Sequence, residues 1–174
     1  MDFTLKKYEK LLQVIQHQKI PVYTINEWIT APKDKGIIIR HDVDRFPHNA
    51  LKMAKLEHEY NIQTTYYFRI KKDVFKPSII KEIAKLGHEI GYHYEDLSTA
   101  KGNETKAIQS FEHNLSRFRK LYPVKTIAMH GKPLSRINNQ ELWINRDYRK
   151  YGVSGDAFLT IDYSDIFYFT DTGR

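Results

Sequence analysis

The 174-residue chain contains no cysteine. That absence excludes disulfide bonds, thiolate metal sites and cysteine nucleophiles. No apolar run approaches the roughly 20 residues needed to span a bilayer. The N-terminal stretch "MDFTLKKYEKLLQVIQHQK" is charged and periodic, unlike a secretory signal. These features lead us to expect a soluble, cytoplasmic protein with no membrane partner. Low-complexity tracts, Gly/Ser linkers and internal repeats are also missing, so residues 1–174 read as one domain, long enough for a core of its own.

Acidic residues are the minority charge. There are 28 Lys and Arg against 21 Asp and Glu, a formal net charge of +7. An excess of this size suits an anionic partner. However, lysines such as Lys71, Lys72, Lys81, Lys85, Lys101 and Lys106 are dispersed, and most fall at helical spacing opposite apolar stripes. No nucleic-acid-binding motif accompanies them, so a solvated surface explains them and no nucleic-acid partner is expected.

What is present is an alternation of periods. Leu5, Tyr8, Leu11, Leu12 and Ile15 recur at three- and four-residue spacing and predict an amphipathic helix. A helical turn is expected in "TINEWIT". "GIIIR" predicts a buried strand bounded by Gly36, and "PHNALKMAKLEHEY" a helix begun by Pro47 that buries Ala50, Met53, Ala54 and Tyr60. "TTYYFR" predicts a strand by its β-branched and aromatic content. "KPSIIKEIAKLG" predicts a helix from Pro77 to before Gly87. Next come a strand in "HEIGYH", a helix capped by Asn103 with Ala107, Ile108, Phe111, Leu115 and Phe118 on one face, and a strand in "VKTIAMH". Beyond it "GKPLSRINN" reads as a loop, "QELWINRDY" as a short helix, and "GDAFLT" and "DIFYFT" as strands. This order argues for βα units around a parallel sheet or barrel, which periodicity does not separate.

The polar residues gather at the strand ends. His41, Asp42 and Asp44 close the first strand, Arg69 the second, His93, Glu95 and Asp96 the third, and His130 the fourth. In α/β sheets and barrels alike the C-terminal strand ends form one mouth, where chemistry is housed. Carboxylate oxygen and neutral imidazole nitrogen suit a hard or borderline divalent ion. In "HDVD" one aspartate can ligate while the other accepts a proton from the attacking water, with His93 and His130 completing the set. The bland alternatives are specific. Asp42 or Asp44 caps the helix at Pro47, His41 orients or stacks, Glu95 and Asp96 are loop carboxylates, and His17, His58, His88 and His113 are structural.

At these residues the chain resembles the polysaccharide deacetylase family, the NodB-homology domain. "GHEIGYH" is similar to its second motif, and "IIIRHDVD" stands in place of the first. More narrowly, "RHDVDRFPHNALKMAKLEHEYNIQTTYYFR", "GHEIGYHYEDLS", "PVKTIAMHGKPLS" and "FYFTDTGR" resemble a divergent His-Asp-Val-Asp subgroup, and the likeness runs from about Gly36 to the last residue.

The resemblance implies an α/β fold, a distorted (β/α) barrel of fewer than eight strands. It also implies one divalent ion (zinc first, with iron, cobalt or manganese as alternatives) and hydrolysis of an N-acetyl group from an amino sugar. By position Asp42 matches the catalytic base, Asp44 the metal aspartate and His93 the first metal histidine. Leu97 stands where the family has its second histidine, so His130 is the expected replacement, with Asp96 the alternative.

Arg69 is expected to steer an anionic substrate group or orient Asp42, and His41 and Tyr94 are expected to line the carbohydrate site. No histidine follows His130, so the family's late general acid has no counterpart. The chain is thus expected to end short of the full barrel and, with edges exposed, to self-associate. The same departures fit a carbohydrate- or partner-binding domain without turnover, and a hydrolase of another amide, ester or phosphate would use the same donors.

Overall fold

The computed structural model describes residues 4–31, 35–131 and 137–170. It is an α/β fold whose strands all pair in parallel. The elements run α1 (Leu5–His17), β1 (Val22–Tyr23), α2 (Ile25–Thr30), β2 (Ile37–Ile38), β3 (Arg40–Val43), α3 (Pro47–Glu59), β4 (Thr65–Phe68), α4 (Pro77–Lys85), β5 (Glu89–Tyr94), α5 (Asp96–Thr99), α6 (Glu104–Arg119), β6 (Thr126–Met129) and β7 (Gly155–Asp156), with 3-10 turns at Asn139–Trp143 and Tyr148–Tyr151.

The strands form two parallel sheets. The larger sheet runs β3-β4-β5-β6-β7, and β1-β2 form a separate pair. Each strand is added beside the one before it, as in the wall of a barrel. A doubly wound sheet would reverse direction partway. Among the described residues no pairing closes the wall.

The run "GIIIR", expected as one strand, is divided between the two sheets. Ile37 and Ile38 pair with β1, and from Arg40 the chain pairs with β4. Gly36 permits the first pairing, because a Cβ there would lie 2.5 Å from the Tyr23 ring.

The two faces of the larger sheet differ, as a two-residue alternation requires. One face presents Tyr66, Phe68, Ile90, Tyr92, Tyr94 and Ile127 to α3, α4 and α6, making the main core with Ile80, Ile83, Phe111 and Phe118. The opposite face carries Tyr67 and Ala128, covered by Ile25 of α2 and by Ala157 and Ile161 from the segment after β7. Tyr67 lies flat across Gly91, where a Cβ would fall 2.1 Å from its ring. Gly91→Ala is therefore expected to overpack a site with no room to give, costing about 1–3 kcal/mol or more, read as a lower midpoint in chemical denaturation. An unchanged midpoint would refute this packing.

The helix boundaries follow the local chemistry. Pro47 and Pro77 begin α3 and α4, Asn103 caps α6 through Lys106 N, and Gly87 leaves α4 at φ +97°. Thr24 and Glu27 form a reciprocal capping box on α2.

Several expectations are corrected. In α1 only Leu12 and Ile15 are buried, and Leu5 and Leu11 stay about half exposed. Met53 and Tyr60 are half-buried. In "QELWINRDY" helical structure is confined to a 3-10 turn over Asn139–Trp143, and a second such turn begins only at its last residue, Tyr148. Strand structure in "GDAFLT" is confined to Gly155–Asp156. Residues 165–170 form no strand, and Phe167 and Phe169 are almost fully exposed. Those aromatics have no apolar layer to alternate against. The middle of "GKPLSRINN" (132–136) and the terminal four residues of "FYFTDTGR" lie outside the described residues. No helix among the described residues is long and apolar enough to cross a membrane.

Candidate metal centre

The site forms where parallel pairing in the order β3-β4-β5-β6 brings the ends of β3, β5 and β6 to the same side of the sheet. Strand alternation puts Arg40 and Asp42 on the face away from α3, and Asp44 follows in the turn after β3, its N–H donating to the Asp42 carbonyl at 3.1 Å. His93 shares that face on β5. His130 extends β6, its N–H donating to the Tyr94 carbonyl at 2.8 Å.

The side chains converge. One ligand atom each from Asp44, His93 and His130 lies within 4.8 Å of the others. His130 Nδ1 is 3.0 Å from Asp44 Oδ1 and 3.3 Å from His93 Nε2. His93 Nε2 is 3.5 Å from Asp44 Oδ1 and 3.9 Å from Asp42 Oδ2. Asp44 Oδ1 is buried yet lacks a well-directed hydrogen-bond partner. An orphaned carboxylate oxygen facing two imidazole nitrogens is a donor set that fits a divalent ion.

The protonation states fit as well. Burial pushes the His93 imidazole below its ordinary value and outweighs the opposing pull of Asp42 and Asp44, so it is neutral at neutral pH. Its Nδ1–H donates to the Ala128 carbonyl at 3.0 Å, which fixes the tautomer and leaves the Nε2 lone pair toward the cluster. Burial pushes the Asp44 carboxyl up, but His130, His93 and Arg69 together hold it below the usual value. A neutral imidazole and an ionised carboxylate are what a metal ion requires.

A second ring of contacts holds these groups. Arg69 makes a two-pronged bond to Glu95, Nε at 2.9 Å and Nη2 at 2.8 Å, with its Nη1 3.9 Å from Asp44 Oδ1. Arg69 thus stands by Asp44. Asp42, which it was expected to orient, is held by Arg40, whose Nη2 lies 3.0 Å from Asp42 Oδ2 while its guanidinium covers the Phe158 ring at 4.4 Å. Asn139 Nδ2 donates to the His130 carbonyl at 2.8 Å, and its Oδ1 accepts from Ser98 N at 2.9 Å. This joins the end of β6 to α5.

Other expected site residues lie elsewhere. His41 points to the opposite face of the sheet, its Nε2–H donating to Glu57 Oε1 at 2.6 Å and its ring against Tyr66. It cannot line the mouth, because a strand turns neighbouring residues to opposite faces. Tyr94 is fully buried against Phe111 and Trp143, and its hydroxyl donates to Asp156 Oδ2 at 2.8 Å.

Asp96 is tied to Tyr92, Ser110 and Asn114 on the helix side, which leaves His130 as the third member of the cluster. Neither Asp42 nor Asp44 caps α3. Phe46 occupies that position with φ 51° and no side-chain bond. His88, expected to be structural, is buried with Nε2–H donating to the Ala54 carbonyl at 2.9 Å.

Arg40 and Glu57 escaped the sequence reading, although each left a trace. Arg40 lies two residues before Asp42, so alternation alone gives them a shared face. Glu57 continues the buried stripe Pro47, Ala50, Ala54 at helical spacing. A search of known family models and of curated proteins finds no match to this chain.

Proposed function

We propose that the chain is a metal-dependent amidohydrolase of the polysaccharide deacetylase type, built on an incomplete barrel of that type, which removes the N-acetyl group from an amino sugar. The observation that carries this reading is the convergence of Asp44, His93 and His130, with Asp42 beside them on the same face. The consecutive strand order and the "GHEIGYH" and "HDVD" motifs support it.

Asp44, His93 and His130 would hold the ion, and one carboxylate with two imidazoles suits zinc, with iron, cobalt and manganese as alternatives. When bound, the ion supplies a Lewis acid that acidifies water and polarises the acetyl carbonyl. Asp42 takes the proton of the attacking water as general base. Arg40 fixes the orientation of that carboxylate, and Arg69, through Glu95, borders Asp44.

The test is to load the purified protein with zinc, iron(II), cobalt(II) or manganese(II), measure bound metal by elemental analysis, and follow acetate release from N-acetylated chitooligosaccharides. One ion per chain together with acetate release is the expected result, and a chain that takes up no ion would refute the proposal. A second reading is a carbohydrate-binding domain without turnover. It is favoured by Leu97, which stands four residues after His93 where the resembled family has a metal histidine. One ion per chain and glycan binding without acetate release would select it.

A further inference from the structure

Behind the strand that carries Asp42 and leads into Asp44 lies a polar cluster that no step above uses. Glu57, on α3, is completely buried. Its Oε1 accepts from His41 Nε2–H at 2.6 Å and from the Tyr8 hydroxyl. Its Oε2 accepts from the Thr64 hydroxyl at 2.8 Å and the Tyr66 hydroxyl at 2.7 Å. Burial pushes the Glu57 carboxyl up, but the donors His41, Tyr8 and Tyr66 outweigh it and keep the group ionised. Buried ionic clusters can often be replaced as a whole by apolar residues of similar volume without loss of stability, so a buried carboxylate of this kind invites a role beyond packing.

Its position supplies one. His41 lies in β3 and Glu57 sixteen residues later in α3, and the chain between them carries Asp42, Asp44 and the left-handed turn at Phe46. Within its sheet β3 is terminal, paired with β4 alone, so its ladder secures it on one side only. The His41–Glu57 bond ties this strand to the helix that follows the turn. The His41 ring also lies 4.6 Å from Tyr66, its partner in the register.

We propose that His41 and Glu57 are a positioning pair, fixing β3 and the turn after it so that Asp42 and Asp44 are presented to His93 and His130. This rests on the reading of the latter cluster as a metal centre. Neither residue touches substrate or metal; both act through the backbone of β3.

Glu57→Gln keeps the shape but turns an amide donor toward groups that are themselves donors. The control is Leu115→Ala, a cavity at a buried position of α6, a helix that carries none of the partners of Glu57. Three readouts report on the centre rather than on overall stability. They are zinc affinity by chelator competition, the visible spectrum of the cobalt(II) form, and the imidazole ¹⁵N–¹H resonances of His93 and His130 in the metal-free protein. Glu57→Gln is expected to weaken zinc about 10- to 100-fold, the range seen for partners outside the ligand set, and to change both spectra. Leu115→Ala should lower Tm and leave all three as in wild type.

His41→Gln retains a donor, so it should recover most of the zinc affinity that His41→Leu loses. This pair decides the matter if Glu57→Gln does not fold. Wild-type zinc affinity and unshifted His93 and His130 resonances in a destabilised Glu57→Gln protein would overturn the proposal and leave the pair a structural contact. If wild type itself takes up no zinc, the metal reading fails separately, and the metal-free resonances still decide the positioning role.

Discussion

Replacing His93 by alanine is expected to strip the protein of its ion. Elemental analysis after desalting should fall from one ion per chain to a trace, and zinc affinity should weaken by more than the roughly 100-fold that loss of an outer partner costs at most. Three features make this residue the most sensitive point. It is the buried member of the cluster, only 3% exposed, so water cannot readily take its place as a donor. Its tautomer is set in advance by the Ala128 carbonyl. Its Nε2 is within 4 Å of Asp42, Asp44 and His130 alike.

The substitution has a stability cost of its own, because the Ala128 carbonyl loses its donor and a ring-sized space opens, together about 1–3 kcal/mol or more. Metal content must therefore be compared at a temperature where both proteins are folded. His113→Ala, on the exposed side of α6, is the control that should keep its ion. A folded His93→Ala protein that still carried one ion per chain would place the metal elsewhere.

Much of this centre was legible in the sequence because the signal was coarse. Asp44, His93 and His130 each end a strand, and parallel strands end on one side. Convergence therefore required only that the strands be recognised and be neighbours, which the order β3-β4-β5-β6 satisfies. What could not be read was the direction of each side chain at one-residue precision. "GIIIR" gives no sign that its first two isoleucines pair with a different strand from Arg40 onward. Without that break there is no fixed count to decide that Asp42 faces the centre and His41 the helices.

Tyr94 fails for the same reason. It neighbours His93 in sequence, so a side chain that faces the cluster from position 93 sends position 94 into the core. Glu57 was hidden differently, as one of several charges on a helix. Only its place on the buried stripe of α3 marked it, and charge at a buried position is seldom expected. The end of the chain misled because aromatic residues favour strands only where a layer awaits them, and Phe167 and Phe169 have none.

Asp42→Asn should separate chemistry from metal binding. The carboxylate lies 3.9 Å from His93 Nε2, farther from the imidazoles than Asp44, and one of its oxygens is already engaged by Arg40. An asparagine keeps the size and an oxygen for Arg40 but has no basic oxygen to receive a proton. If Asp42 is the general base, acetate release should fall about 10²- to 10⁴-fold in kcat, with bound metal still one per chain and KM little changed.

Asp44→Asn should behave differently, losing metal and activity together, because the orphaned Oδ1 is then no longer anionic. Arg40→Ala should fall between, lowering kcat while sparing the ion, since it frees the Asp42 carboxylate without removing it. If Asp42→Asn lost the ion, Asp42 would be a ligand and the base would have to be sought elsewhere. An unchanged kcat in a metal-loaded Asp42→Asn protein would remove Asp42 from the chemistry altogether, leaving Glu95, 6% exposed and paired with Arg69 beside Asp44, as the next carboxylate to test.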